Sequence, residues 1–164
     1  MKFKQAGFTL IELIVVIIIL GILAATALPR YTALQSQARI AKLNAALGAV
    51  KGGAALAHAA CLAPGATSCG MAAFTLSMEG APVTLIAQYP TADAAGIIVA
   101  AGLTVTAAEG YAADTGSAAE GGVLTIQVLG NAPATCFFTY TAATSASGAI
   151  TNSPVYSALT TTGC

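Results

Sequence analysis

Residues 2–31 read KFKQAG-FTLIELIVVIIILGILAATALPRY: two lysines, a glycine, then an apolar run holding a single carboxylate, Glu12. Between residues 13 and 28 no side chain is charged. Taken as a helix, residues 8–28 make 21 residues, about 31 Å at 1.5 Å per residue, enough to cross a bilayer core. The many β-branched residues do not argue against helix. A single pass through lipid satisfies its own backbone polar groups only as a helix. Glu12 is the anomaly. A carboxylate inside a membrane helix costs about 2.5–3.5 kcal/mol on insertion scales, so it marks either a function or a position in the headgroup layer at the start of the span.

The run GFTLIELIVVIIILGILAATALPRY resembles the N-terminus of type IV pilins and the related pseudopilins. In that family a prepilin peptidase cuts after the glycine on the cytoplasmic face. The new N-terminal phenylalanine is methylated, and the helix passes from the membrane into a filament. The resemblance implies a cut between Gly7 and Phe8, methylation of Phe8, and Glu12 as the assembly carboxylate. It also makes Gly21 and Pro29 helix-loosening, kink positions.

Elementary chemistry points the same way. A secretory signal is cut after its apolar region, at small residues. Here Gly7 precedes the run, so a cut there leaves 157 residues with the apolar segment retained as an anchor. The cut also creates an amine on Phe8 near Glu12. In a stack of subunits the amine of one chain neutralises the carboxylate of another. A charge left alone in a low-dielectric core is strongly unfavourable, and that penalty sets the axial register.

At 164 residues the chain suits one domain of ordinary size plus the helix. Charged residues are only 7% and hydrophobic ones 57%, much of it alanine, as expected of a protein packed against copies of itself. All six basic residues lie at or before Lys51, and five of the six acids lie after it. Lys2 and Lys4 orient the N-terminus to the cytoplasm. Their removal leaves a basic helix and an acidic remainder, which attract each other between subunits or are simply solvated.

Beyond Pro29, residues Ile40, Leu43, Leu47, Val50, Ala54 and Ala57 recur at spacings of 3 and 4, one face of an amphipathic helix. Pro29 is tolerated as a kink, so one helix is expected over residues 8–60. Gly48, Gly52 and Gly53 weaken it intrinsically and suit close approach of a sheet or a neighbour. His58, the single histidine, has no second histidine or cysteine pair at metal spacing and reads as a packing residue.

Four cysteines allow three pairings. We favour Cys61–Cys69, which closes a short segment holding the Pro64-Gly65 turn signal, and Cys136–Cys164, which ties down the C-terminus. An exported chain reaches an oxidising compartment where such bonds persist. Zinc is the rival reading, and neither pair is a C-x-x-C. The 136–164 loop resembles the disulfide-bounded C-terminal loop of type IV pilins.

Residues 82–89, PVTLIAQY, read as strand. Thr91 caps a short helix over 92–101, or IIVAAGLTV forms a strand; the pattern leaves both open. VLTIQVL places Leu124, Ile126 and Val128 on one face, and TCFFTYT returns with Cys136, Phe138 and Tyr140 alternating, across a turn at Gly130-Asn131 and Pro133. A third strand falls within 155–160. The expected fold class is α+β: a long N-terminal helix packed on an antiparallel sheet, the pilin fold. Its parts are a leader (1–7), a hydrophobic transmembrane or filament-core helix (8–29), an amphipathic half (30–60) and a β-rich head (61–164). HAACLAPG with QYPTADAAGI resembles pilins of the mannose-sensitive haemagglutinin type.

No paired carboxylates, nucleophile–histidine set or phosphate-binding glycine loop stands out, so no enzyme activity and no cofactor or metal is expected. Asn131 and Asn152 open no N-x-[ST] triplet, and the Thr/Ser-rich stretch 139–162 is either a polar loop or an O-glycan carrier. The resemblance implies a structural subunit of a type IV pilus: inner-membrane prepilin first, then a homo-oligomeric surface filament for adhesion or motility. Its partners are the prepilin peptidase and the assembly machinery; nucleic acid stays open. The alternative is a type II secretion pseudopilin. The Cys136–Cys164 loop favours the pilus, and a C-terminal calcium site would favour the pseudopilin, yet residues 123–164 hold no Asp or Glu. A single-pass membrane enzyme is a third class that no residue supports.

Overall fold

The computed structural model describes residues 8–63, 69–130 and 135–164. The leader, the Pro64-Gly65 turn and the Asn131–Pro133 part of the hairpin turn lie outside the described residues. The chain divides into two compact units, Met1–Ala38 and Arg39–Cys164. One helix, α1 (Leu10–Leu62), contributes to both and runs unbroken past Pro29.

In the first unit α1 exposes its apolar side chains, from Leu10 through Leu34. Proline removes one backbone donor from the ladder. Close to it, the Thr26 and Thr32 hydroxyls donate to the Leu23 and Pro29 carbonyls at 3.0 Å each. The apolar part is long enough to cross a membrane.

In the second unit α1 buries Leu43, Ala46, Val50, Gly53, Ala54, Ala57 and Cys61. This is the stripe expected from the spacing, except that Ile40 and Leu47 stand at its edges, half-buried. Three antiparallel groups of strands follow. β1 (Phe74–Met78), β2 (Ala81–Ile86) and β3 (Tyr89–Pro90) form a three-stranded sheet. β4 (Tyr111–Ala113), β5 (Val123–Val128), β6 (Phe137–Thr141) and β9 (Val155–Tyr156) form a four-stranded sheet in the order β4-β5-β6-β9. β7 (Thr144–Ala146) and β8 (Ala149–Asn152) make a separate hairpin.

The β5–β6 pairing sets Leu124 opposite Tyr140 and Ile126 opposite Phe138. With period-2 alternation, that register turns Leu124, Ile126, Val128, Phe138 and Tyr140 to the core and leaves Thr125, Gln127 and Thr139 on the other face. These side chains join Leu43, Ala46, Val50 and Ala54 of α1 in the main cluster. Burying a side chain of the Leu, Ile or Phe class contributes about 1.5–3 kcal/mol. A smaller cluster sets Ala57 and Cys61 against Val83 and Leu85 of β2. Tyr140 keeps its hydroxyl satisfied by donating to the Pro90 carbonyl at 2.7 Å, and burial pushes its ionisation well above the ordinary tyrosine range.

Residues 92–101 form no strand. Asp93 caps a π-turn over Ala94–Ile98 by accepting from the Gly96 N–H at 2.7 Å. Thr91 instead donates its buried hydroxyl to Asp93 Oδ1 at 2.8 Å, so the cap lies two residues beyond the threonine read from the sequence. This segment packs on α1 at one point of very close approach. A Cβ on Gly53 would collide with the Ala100 carbonyl and come within 2.8 Å of the Ala101 nitrogen, whereas Gly52 and Gly48 meet nothing within 4 Å. Backbone does not yield as a side chain does. Gly53→Ala is therefore expected to destabilise the second unit by about 1–3 kcal/mol through overpacking. In the isolated protein Gly52→Ala is expected to stabilise it by about 0.5–1 kcal/mol through helix propensity. Thermal melts of the two variants in detergent should move in opposite directions, and a shared direction would refute the close-approach reading.

Candidate assembly site

The first turn of α1 is closed by its own side chains. Thr9 is the N-cap, and its carbonyl accepts the Leu13 N–H at 3.3 Å. The Glu12 N–H donates to Thr9 Oγ1 at 3.3 Å, while Glu12 Oε2 accepts the Thr9 N–H at 2.9 Å and the Thr9 hydroxyl at 2.8 Å. This is a reciprocal capping box, with Glu12 as third helical residue reaching back to the cap. It satisfies donors that a helix start otherwise leaves without partners. The signal was present in the sequence as Thr9-x-x-Glu12 ahead of an apolar run, and reading Glu12 only as a charge in the membrane passed over it.

Both bonds fall on Oε2. Among the described residues no hydrogen bond reaches Oε1, so one oxygen of the carboxylate stays available to an outside donor. Around it Phe8, Ile11, Val15 and Val16 form an open apolar groove, and Phe8 is 91% exposed. The structure thus brings Phe8 and Glu12 to one end of one helix. Gly7 lies outside the described residues. Gly21 and Pro29 sit further along the same helix, and a Cβ on Gly21 would meet nothing within 4 Å.

The cysteines belong to the second unit. Cys61 is bonded to Cys69 and Cys136 to Cys164, and no cysteine among the described residues is free. Cys136 and Cys164 are buried in the main cluster. Arg39 Nη1 donates to the Cys164 carbonyl at 2.8 Å, holding the C-terminal residue against α1. Lys42 and Lys51, the other cations of α1 in the second unit, also find partners within the chain. Lys42 donates to the Glu109 carbonyl and lies 4.4 Å over the Tyr111 ring, and Lys51 lies 5.5 Å over Tyr156. These partners are carbonyls and rings of the head, which the charge count alone did not show. His58 stacks on Tyr89 with ring centroids 4.1 Å apart. Among the described residues no group of three or more His, Cys, Asp or Glu side chains is placed to hold a metal.

Residues 2–28 match the prokaryotic N-terminal methylation motif. The chain is 48% identical over 54 residues to the type IV narrow pilus major component PilA5 of Thermus thermophilus, covering 33% of this chain and 47% of that protein. It is 53% identical over 49 residues to the fimbrial protein EcpB of Eikenella corrodens, covering 30% of this chain and 31% of that one. The matches thus span less than half the length of either relative. No solved structure matches the chain significantly. With an exposed apolar helix start opened by Thr9 and Glu12, the chain carries the prokaryotic N-terminal methylation motif and is similar over about a third of its length to proteins named as pilus and fimbrial subunits.

Proposed function

We propose that this chain is a structural subunit of a type IV pilus, made as an inner-membrane prepilin and polymerised through α1 into a surface filament serving adhesion or motility. The reading rests on the methylation motif overlapping the first part of α1, where residues 10–28 are apolar and exposed and Glu12 is the one charged side chain. An exposed apolar surface of this extent needs a cover, first lipid and then the helices of neighbouring subunits. Prepilin peptidase cuts between Gly7 and Phe8, and Phe8 is methylated. The free oxygen of Glu12 then takes a charge-assisted hydrogen bond from the Phe8 amine of a neighbour. Gly21 and Pro29 loosen the helix for close packing. The head, with its two disulfides, covers the outside.

The intact mass of protein from native membranes or shed filaments tests the processing step. The expected mass lacks residues 1–7 and gains one methyl group. A mature N-terminus after Ala25 or Ala27 would mean a conventional signal peptide and would end the pilin reading. The same preparation separates a pilus from a secretion-system filament, since a pilus subunit forms the main band of long filaments sheared from the cell surface.

A further inference from the structure

A second group of polar and aromatic side chains belongs to the second unit, whereas Phe8 and Glu12 belong to the first. Between the C-terminal part of α1 and the segment joining β8 to β9 lies an open cleft of about 360 Å³, within the range of small-ligand sites. Its lining includes Tyr89, Tyr156, His58, Pro154 and Ser153, together with Lys51, whose Nζ lies 5.5 Å from the Tyr156 ring centroid. His58 is stacked on Tyr89 with the ring planes 9° from parallel, and Tyr156 packs against the buried Tyr140 with ring centroids 5.7 Å apart. The Tyr156 hydroxyl stays a protonated donor, with burial and the neighbouring Tyr89 pushing its ionisation upward. Lys51 is the one formally charged side chain in the lining, and among the described residues no carboxylate lines the cleft.

We propose that this cleft binds a carboxylated sugar, a uronic acid unit of a surface polysaccharide. The apolar face of a pyranose ring lies on tyrosine and proline surfaces, its hydroxyls bond to Ser153 and the tyrosine hydroxyls, and its carboxylate meets Lys51 by a charge-assisted hydrogen bond. Single-stranded nucleic acid is the less suitable occupant. It needs a run of cations along its backbone and open ring faces for successive bases. Here one lysine is present, one face of Tyr89 is taken by His58, and Arg39 and Lys42 are held by carbonyls elsewhere. The site belongs to the second unit alone and stands whether or not the filament reading does.

The test is saturation-transfer NMR on the full chain in detergent micelles. The probes are D-glucuronate, D-glucose, acetate and an eight-nucleotide oligothymidylate. Glucuronate should bind at least about tenfold more tightly than glucose, the difference one charge-assisted hydrogen bond makes, and at least about tenfold more tightly than acetate, which has the carboxylate but no ring to lie on the tyrosines. Lys51→Met, which keeps the apolar stem, should erase that preference with an unchanged thermal melt, and Lys51→Arg should retain it. Equal binding of glucose and glucuronate, or equal competition by acetate, would overturn the proposal. Binding of the oligonucleotide but not glucuronate would reassign the cleft to nucleic acid. The discrimination between probes is read on the unaltered protein, so a folding defect in a variant does not decide the matter.

Discussion

Glu12→Val is expected to leave the chain in the membrane and abolish its filaments. Removing a carboxylate from an apolar span lowers the cost of insertion by about 2.5–3.5 kcal/mol, so membrane content should hold or rise. Assembly should fail, because the neighbour's Phe8 amine would be enclosed in a low-dielectric core without a counter-charge, at a cost of about 3–5 kcal/mol per subunit. The capping box adds a complication and supplies the control. Glu12 also holds the helix start through Thr9, and losing a cap costs about 0.5–2 kcal/mol. Glu12→Gln keeps an acceptor for the Thr9 N–H, since glutamine serves in a capping box, yet carries no charge. If pairing with an amine is the role, Gln should fail as Val does. If capping is the role, Gln should restore filaments and Thr9→Val should lose them. Filament yield, membrane content and N-terminal mass, compared across the three variants, separate these outcomes. Normal filaments from Glu12→Val would sink the pairing idea outright.

The largest effect on stability is expected at the Cys136–Cys164 bond. It joins residues 28 apart in sequence, the other bond residues only 8 apart. In the chain-entropy model the longer loop is worth about 3.5 kcal/mol and the shorter about 2.5 kcal/mol. The longer one also keeps Cys164 within reach of Arg39. Replacing Cys136 and Cys164 together by alanine should lower the melting temperature by roughly 10 °C, at a few degrees per kcal/mol for a chain of this size. Replacing Cys61 and Cys69 should cost less. Circular dichroism melts in detergent test the order, and a reversed order would show that the C-terminal segment is held by contacts other than its covalent link.

What could be read from the sequence tracks the strength of each periodic pattern. Leu43, Val50, Ala54 and Ala57 declared the packed face of the helix because their spacing fits only one period. Ala46 and Gly53, equally buried, passed unnoticed because small residues carry little hydrophobic signal. The β5–β6 hairpin was legible from strict alternation in both arms. Strand β4 is only Tyr111–Ala113, and β7 and β8 are short and mostly polar, so no window of residues announces them. Residues 92–101 were ambiguous because a continuous apolar run suits helix or strand alike. The decision fell to one side chain, Asp93, bonding to the backbone three residues on. At the candidate site Phe8 and Glu12 stood out as a motif, whereas the bond between Thr9 and Glu12 depends on how a helix begins.

The β7–β8 tip, where Ser147 and Gly148 take positive φ angles of 52° and 80°, lies inside the stretch closed by Cys136 and Cys164. A protease that cuts there opens the backbone without releasing a fragment, since both new ends stay joined through sulfur. The nicked molecule keeps its mass, apart from one added water, and migrates as two pieces only after reduction. Under non-reducing conditions a subunit cut at this tip and an uncut one run as the same band.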